Sequence, residues 1–280
     1  MKVKVTADST CDLSPDLVAK FEIGIIPLYI IQAGETKRDG LDITPDDIYA
    51  HVAAGGEPCS TAAVNVRDYL NFFRGFLEEY DAIVHFTISS DMSACYQNAC
   101  LAARELGNVY PVDARTLSSG IGQLVLDAAL LARSGMAASA IKALLDQKKQ
   151  KLDVSFCLDT LEYMRKGGRC STVMALGANL LNIKPCIEVQ DGKMGVGKKY
   201  RGSMQKVLHH YVDERLADPD TVDPSRIFIT DSGIDPEIWQ SVMAAVRKKV
   251  PFQEVYHTHA GCTVCSHCGP NTLGILFYRK

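Results

Sequence analysis

Residues 81–99 read DAIVHFTISSDMSACYQNA, and this stretch decides the fold class. Ala82 to Ile88 is a run of mainly apolar residues with the length of one buried strand. It passes directly into the SSD of residues 89–91, which favours a helix start, and the pattern from Met92 to Leu106 predicts that helix. A buried strand followed at once by a helix is typical of a parallel sheet covered by helices.

The same alternation extends over the first half of the chain. Strands are predicted over residues 25–31 and 109–112, and a helix is predicted over residues 118–133. Two further helices are expected to begin at Ser14-Pro15 and Thr44-Pro45, because each pair combines an N-capping side chain with proline in the first turn.

The second half of the chain changes character. Two strand-like segments flank Asp191-Gly192, which is typical of a β-hairpin, and further helices and strands follow in mixed order. We therefore predict an α/β protein of two domains. Residues 1–155 would form a domain with a parallel sheet covered by helices on both faces, and residues 156–280 would form an α+β domain.

The composition argues against several classes of function. The chain has 280 residues, of which 47% are hydrophobic, and a formal net charge of −3, so we expect no binding to nucleic acid. No apolar run reaches about 18 residues, which argues against stable membrane insertion. The start, MKVKVTADST, lacks the apolar core of a signal peptide, so we expect a cytoplasmic protein whose ten cysteines are thiols. Seven are expected to be small core residues: Cys11, Cys59, Cys95, Cys100, Cys157, Cys170 and Cys186.

Hydroxyl side chains gather at two predicted junctions between a strand or loop and a helix. These are Ser60-Thr61, after a loop, and Ser89, Ser90 and Ser93, after the buried strand. Ligands of parallel sheets bind where strands end, and helix N-termini there attract anions. The set therefore suits a carboxylate or a phosphate group, although the same residues would also serve as plain helix caps.

A second candidate is the loop Lys166-Gly167-Gly168-Arg169. Its glycines allow backbone turns with positive φ that would present Arg169 at a loop tip. An arginine there can clamp a carboxylate or a phosphate with two parallel hydrogen bonds. The alternative is a helix C-cap followed by a solvated arginine. No GxxxxGK[ST] phosphate loop is present, so the sequence does not support nucleotide binding by that route.

The third candidate is the segment from His257 to Pro270, which holds three histidines as well as Cys262, Cys265 and Cys268. The C-x2-C-x2-C spacing resembles part of a bacterial ferredoxin motif, and the mixture of cysteine and histidine resembles a zinc site. However, no fourth cysteine follows at the ferredoxin spacing. Side chains of an extended segment would also alternate between faces and could not converge. We expect no metal and no cofactor.

Taken together, these regions resemble the DegV family over essentially the whole chain. The matching segments are residues 8–14 (the family's DST-x-D-L opening), 27–29 (PLY), 89–99 (SSxLSGTYQSA), 161–169 (LxxLxxGGR), 183–185 with Asp191-Gly192 (a hairpin segment), and 267–270 (HxGPG). Departures are the order of Ser60-Thr61, which stands where the family has TSQPS, Ala94-Cys95 in place of Gly-Thr, and Asn271 in place of the last glycine.

The resemblance implies a Rossmann-like, three-layer N-terminal domain and an α+β C-terminal domain. It also implies that a long-chain fatty acid, such as palmitate, binds in a buried tunnel between the two domains. It implies that the carboxylate is held by hydroxyl groups, here those of Ser60, Thr61, Ser89, Ser90 and Ser93. It further implies a carrier rather than an enzyme, which presents the fatty acid to a separate ATP-dependent fatty acid kinase for acyl-phosphate formation. Arg169 and His267 would face the carboxylate or that partner.

Two other classes of function stay open on the residues alone. A stand-alone acyl- or phosphoryl-transfer enzyme would use Asp8, Ser9, Arg169 and His267. A metal or redox module would instead be built on the three clustered cysteines.

Overall fold

The computed structural model describes residues 2–174 and 183–280 and confirms a mixed α/β fold. The strands are β1 (Val3–Asp8), β2 (Gly24–Ile26), β3 (Tyr29–Gln32), β4 (Glu35–Arg38), β5 (Ser60–Ala62), β6 (Ala82–Thr87), β7 (Val109–Asp113), β8 (Leu152–Cys157), β9 (Ile183–Gln190), β10 (Lys193–Arg201), β11 (Val222–Asp231), β12 (Glu254–His259) and β13 (Leu273–Arg279). The α-helices are α1 (Pro15–Phe21), α2 (Pro45–Ala53), α3 (Val66–Leu77), α4 (Cys95–Leu106), α5 (Ser119–Arg133), α6 (Ala138–Lys148), α7 (Glu162–Gly167), α8 (Ser171–Met174), α9 (Met204–Arg215), α10 (Pro236–Lys249) and α11 (Cys262–Cys268). None of the described helices combines the length and the apolar character needed to cross a bilayer.

The first half of the chain builds a four-stranded parallel sheet in the order β2-β1-β6-β7. Every residue of β6 is buried, which confirms the strand predicted from residues 82–88. Helix α4 begins at Cys95, three residues later than predicted, because residues 89–93 first form a turn in which the carbonyl of Ser89 accepts from Met92 N–H and Ser93 N–H. This turn places Ser93 in the loop above the sheet.

The single strand predicted over residues 25–31 is wrong. The segment forms two strands in different sheets, since β2 pairs with β1 while β3 pairs with β4 and β5 in a small antiparallel sheet. Pro27 between them has no N–H to donate, and the N–H of Leu28 donates to the Ser9 hydroxyl (3.1 Å) instead of to a strand. The two predicted N-caps are confirmed, with Ser14 accepting from Leu17 N–H and Thr44 forming a capping box.

The second half builds a six-stranded mixed sheet in the order β10-β9-β8-β13-β11-β12. The predicted hairpin is confirmed, because β9 and β10 pair antiparallel on either side of Asp191-Gly192. The predicted domain boundary after residue 155 falls inside β8. All of β8 pairs within the second sheet, with β9 and β13, so the change of sheet precedes Leu152.

Helix α5 joins the two sheets, and the structure confirms it within one residue of its predicted start. It packs against β1 and β6 on one side and against β8, β11 and β13 on the other. Its first eight residues, Ser119 to Leu126, are all buried. Gln123 donates to the carbonyls of Arg226 (3.3 Å) and Leu276 (3.1 Å), which ties the helix to β11 and β13.

We predict that Gly120→Ala destabilises the protein by about 1–3 kcal/mol, because a Cβ at Gly120 would lie 2.8 Å from the Val154 side chain of β8. The matched control is Gly75→Ala in α3, where a Cβ meets nothing within 4 Å. That change should raise stability by about 0.5–1 kcal/mol, because alanine loses less backbone freedom. Urea unfolding measures both, and equal effects of the two changes would contradict this packing.

Candidate functional site

A cavity lies between residues of the first half of the chain and residues of the second half. Its empty space, counted with that at its open mouth, is about 580 Å³. Apolar side chains from both halves of the chain form most of the wall: Leu28, Ala62, Ala63, Ile88, Met92, Leu117, Phe156, Met164, Met194, Val264 and Cys268.

A second cavity, with about 340 Å³ of empty space, continues this apolar interior. The two cavities share Leu117, Phe156, Val264 and Cys268 in their walls. Residues of β11 and β13 line the second cavity. A ligand in the first cavity therefore has further apolar space next to it.

Five polar side chains line the first cavity: Thr61, Ser93, Arg169, Thr263 and His267. Thr263 is already engaged, since its hydroxyl donates to Asp39 (2.7 Å). Within residues 2–174 and 183–280, no aspartate or glutamate lines this cavity. An anion placed here would meet hydrogen-bond donors, and the nearby Asp39 carboxylate is engaged by the Thr263 hydroxyl.

Thr61 and His267 meet across the cavity wall. Thr61 lies on β5 and His267 on α11, and Thr61 Oγ1 is 2.8 Å from His267 Nε2. The Nδ1 atom of His267 is buried and lacks a hydrogen-bond partner among the described atoms. Because a buried N–H without an acceptor is rarer than an unpaired acceptor, we assign the ring proton to Nε2. His267 then donates to Thr61, and the Thr61 hydroxyl is free to donate into the cavity.

His267 is held neutral by its surroundings. Burial lowers the pKa of His267 to about 4, and the positive charge of Arg169 contributes to the shift. The ring packs so closely on α7 that a Cβ at Gly167 would lie 2.0 Å from Nδ1. Gly167 therefore belongs to the site because only a residue without a side chain fits beside the imidazole.

Ser93 contributes a hydroxyl at the N-terminus of α4. Its oxygen accepts from Cys95 N–H (3.3 Å), and its O–H donates to the Cys95 sulfur (3.2 Å). Sulfur is a weak acceptor, so the hydroxyl can turn toward a stronger acceptor in the cavity at little cost. The positive end of the α4 dipole adds to the attraction for an anion.

Arg169 lies at the mouth of the cavity with an exposed side chain, which donates from Nη1 to the carbonyl of Gly167 (2.8 Å). Gly168, the residue before it, has φ +65° and ends α7 in the left-handed conformation. This confirms the turn predicted from the two glycines. It places a permanent positive charge beside the neutral His267.

Comparison with known proteins identifies the family of this chain. The family model described as "Uncharacterised protein, DegV family" matches residues 2–280. The chain belongs to the DegV family. A fatty-acid-binding DegV family protein of Thermus thermophilus is 30% identical, with all of both chains covered and a TM-score of 0.92.

Two further relatives are named for the same kind of ligand. A stearic-acid-binding protein of Eubacterium ventriosum is 26% identical, with 99% of this chain and 98% of that chain covered and a TM-score of 0.83. A relative from Thermotoga maritima, named fatty acid-binding protein, is 28% identical over 283 residues, which cover 98% of this chain and 96% of the relative.

Three of the predicted carboxylate-binding residues of this DegV chain do not lie in the cavity wall. Ser60 is exposed, with its side chain outside the lining. The buried Ser89 donates to the carbonyl of Gly192 (2.7 Å), and the Ser90 hydroxyl accepts from Arg115 (3.2 Å). Only Thr61 and Ser93 of the predicted hydroxyl set line the cavity, and their role in binding remains a prediction.

Ser89 instead helps to fasten the β9–β10 hairpin to the first domain. A Cβ at Gly192 would lie 2.5 Å from the Arg115 guanidinium carbon and 2.7 Å from Ser89 Oγ, so glycine is required at the hairpin tip. Arg115 also donates to the carbonyl of Asp191. Met194, two residues after Gly192, lines the cavity. Sequence reasoning missed Arg115, and nothing in its local pattern signals this contact.

The clustered cysteines lie on helix α11, so the extended form considered in the sequence analysis does not occur. Their S–H groups donate to three different backbone carbonyls. Cys262 donates to Ile43 (3.1 Å), Cys265 to Ala260 (3.2 Å) and Cys268 to Gly269 (3.5 Å). Burial raises the pKa of Cys262 to about 12, which keeps its thiol protonated. Among the residues that the structure describes, no group of three potential metal ligands includes a cysteine.

Two candidates for stand-alone catalysis are occupied by structural hydrogen bonds. The buried Asp8 accepts from Tyr69 (2.7 Å) and from Ile88 N–H (3.1 Å). The Ser9 hydroxyl donates to Asp39 (2.9 Å). Neither Asp8 nor Ser9 lines the cavity.

We predict that the His267 imidazole stays neutral down to about pH 4, whereas a histidine of the unfolded chain titrates near 6.5. Because the unfolded chain binds this proton first, the contribution of His267 to stability is fully present above pH 6.5 and is lost as the pH falls through about 4. NMR titration of the ring, assigned with His267→Gln, measures this. A midpoint near 6.5 would contradict the burial described above.

Proposed function

We propose that this chain binds one long-chain fatty acid and presents its carboxylate to a separate ATP-dependent fatty acid kinase. The observation that supports this proposal most directly is the apolar cavity. Its described lining offers hydroxyl groups, a neutral imidazole and an arginine, but no carboxylate. The acyl chain would occupy the two connected cavities. The carboxylate would lie between Thr61 and Ser93, with Arg169 at the mouth.

The apolar wall supplies the affinity in this proposal. Burial of each methylene is worth about 0.8 kcal/mol, so a long acyl chain yields on the order of 10 kcal/mol. Ordering the chain and restricting its motion take back several kcal/mol. The polar end therefore has to orient the head group and satisfy its oxygens, and it does not have to supply most of the binding energy.

The polar residues suit a carboxylate that must remain reactive. Thr61, freed by the Nε2–H tautomer of His267, and Ser93 each offer an O–H donor. Hydrogen bonds to a charged group satisfy its oxygens without neutralising them as a buried cation would. The oxygen that faces the mouth would then attack the γ-phosphorus of the kinase-bound ATP, with ADP as the leaving group, and Arg169 would balance the negative charge that develops there.

The relatives support the lipid part of the proposal. The Thermus and Eubacterium proteins, named for binding fatty acid and stearic acid, are 30% and 26% identical to this chain and share its fold over nearly full length. The kinase part rests on the family resemblance in the sequence and on the position of Arg169 at the open side of the cavity.

We predict that the double variant Thr61→Ala with Ser93→Ala has a lower affinity for fatty acid. The expected loss is roughly 10- to 100-fold for each hydroxyl removed, because a hydrogen bond to a charged group is worth about 1.5–3 kcal/mol. The matched control is Ser60→Ala with Ser90→Ala, whose hydroxyls lie outside the lining. Titration of the delipidated proteins with oleate and palmitate gives both affinities. Equal affinities in the two double variants would place the head group elsewhere, and no binding by the parent would refute a lipid function.

We predict that Arg169→Ala keeps most of the fatty-acid affinity but supports little acyl-phosphate formation with a cognate kinase and ATP. Lys166→Ala is the matched control, because it removes a nearby cation that pairs with Glu57 and does not line the cavity. Turnover is measured with saturating fatty acid. If Arg169→Ala turns over as fast as Lys166→Ala, the presenting role of Arg169 is refuted while lipid binding stands.

A further inference from the structure

Two histidines and one carboxylate meet at the edge of the six-stranded sheet, away from the fatty-acid cavity's polar end. His257 and His259 lie two residues apart on β12, so their side chains project from the same face of this edge strand. The neighbouring strand β11 runs parallel and pairs Asp231 with His259. The pleat therefore places all three side chains side by side.

The three potential ligand atoms are already close together. Asp231 Oδ2 lies 2.5 Å from His257 Nε2 and 3.3 Å from His259 Nδ1, and all three atoms fall within 4.8 Å of one another. The other carboxylate oxygen, Asp231 Oδ1, accepts from the N–H groups of Gly233 (2.8 Å) and Ile234 (3.2 Å). Those two bonds fix the carboxylate with Oδ2 turned toward the imidazoles.

Neighbouring groups also fix the His257 ring. It stacks on Trp239 of α10 with ring centroids 3.9 Å apart and an interplanar angle of 13°. The two imidazoles are nearly perpendicular, at 76°, with centroids 4.8 Å apart. His259 is 72% exposed and Asp231 only 1% exposed, so the cluster has a buried anionic base and an open outer side.

We propose that Asp231, His257 and His259 bind one zinc ion, or a similar divalent transition metal, at this sheet edge. Two imidazoles and one carboxylate form a donor set that suits zinc, whereas calcium and magnesium prefer oxygen ligands alone. Three protein ligands leave a fourth tetrahedral position for water or another ligand on the exposed side. The hydrogen bonds to Asp231 Oδ1 and the stack on Trp239 orient two of the ligands as outer-shell contacts do in metal sites.

Only a small movement separates the cluster from zinc geometry. Tetrahedral zinc at about 2 Å from each ligand holds the ligand atoms roughly 3.3 Å apart. The contact of His259 with Asp231 already has this length, and that of His257 must lengthen by about 0.8 Å. The ligand nitrogens of the two histidines, which lie within 4.8 Å of each other, must come to the same spacing. This site uses none of the clustered cysteines, and the sequence pattern alone predicted no metal.

The test uses the full chain, reduced and freed of metal with a chelator, and titrated with Zn²⁺ in competition with a chromophoric chelator. We expect saturable binding of one ion per chain, and a loss of at least about tenfold in affinity for His259→Ala and for His257→Gln. The control His210→Ala removes an exposed histidine on α9 and should leave the affinity unchanged. Because His259 is largely exposed, its removal should preserve the fold, which circular dichroism verifies.

Cobalt(II) distinguishes this site from one built on thiols. Bound to nitrogen and oxygen ligands, cobalt lacks the intense near-ultraviolet charge-transfer band that thiolate ligands produce. The expected spectrum shows d–d bands without that band, and they should be lost in His259→Ala. Absence of saturable binding by the parent, unchanged affinity in both histidine variants, or a thiolate band would each overturn the proposal, and none of these results bears on fatty-acid binding.

Discussion

The burial of helix α5 between two sheets is the constraint on which the rest of the structure depends. A helix that is covered on both sides must present an apolar surface all round, and its few polar side chains must find partners. Gln123 and Asp127 do so by bonding to Arg226 of the second sheet. The connection leading into this helix supplies Leu117 to the wall of both cavities. The same packing that unites the domains therefore leaves the apolar space between them.

The polar end of the cavity is a product of tertiary structure. Thr61, Ser93 and His267 come from a short strand, a helix start and a second helix, and each is placed by a different set of backbone hydrogen bonds. A buried carboxylate is costly unless its oxygens are satisfied, and in the proposed complex these groups would satisfy it without a buried counter-charge. The neutral state of His267 would matter there, because a protonated imidazole would pair with the anion and reduce its reactivity.

Local signals in the sequence predicted the local structure well. The buried β6, the caps at Ser14 and Thr44 and the hairpin at Asp191-Gly192 follow from short-range chemistry. The hydroxyl set shows where such reasoning ends. Ser89 and Ser93 lie in the same turn, yet Ser89 bonds to Gly192, 103 residues away, and only the folded chain reveals that partner. The family resemblance named seven residues, and the structure brings four of them, Thr61, Ser93, Arg169 and His267, to one cavity.

Strand β13 is the last strand in chain order, but it lies inside the six-stranded sheet, between β8 and β11. During synthesis on the ribosome, β8 emerges more than a hundred residues before β13, which at typical elongation rates is a delay of roughly ten seconds. Until β13 is made, the strand that pairs with both β8 and β11 is missing. The edges of β8 and β11 that β13 will cover are then open to other chains. We expect nascent chains of this protein to depend on chaperones late in translation, after the parallel sheet of the first half has been made.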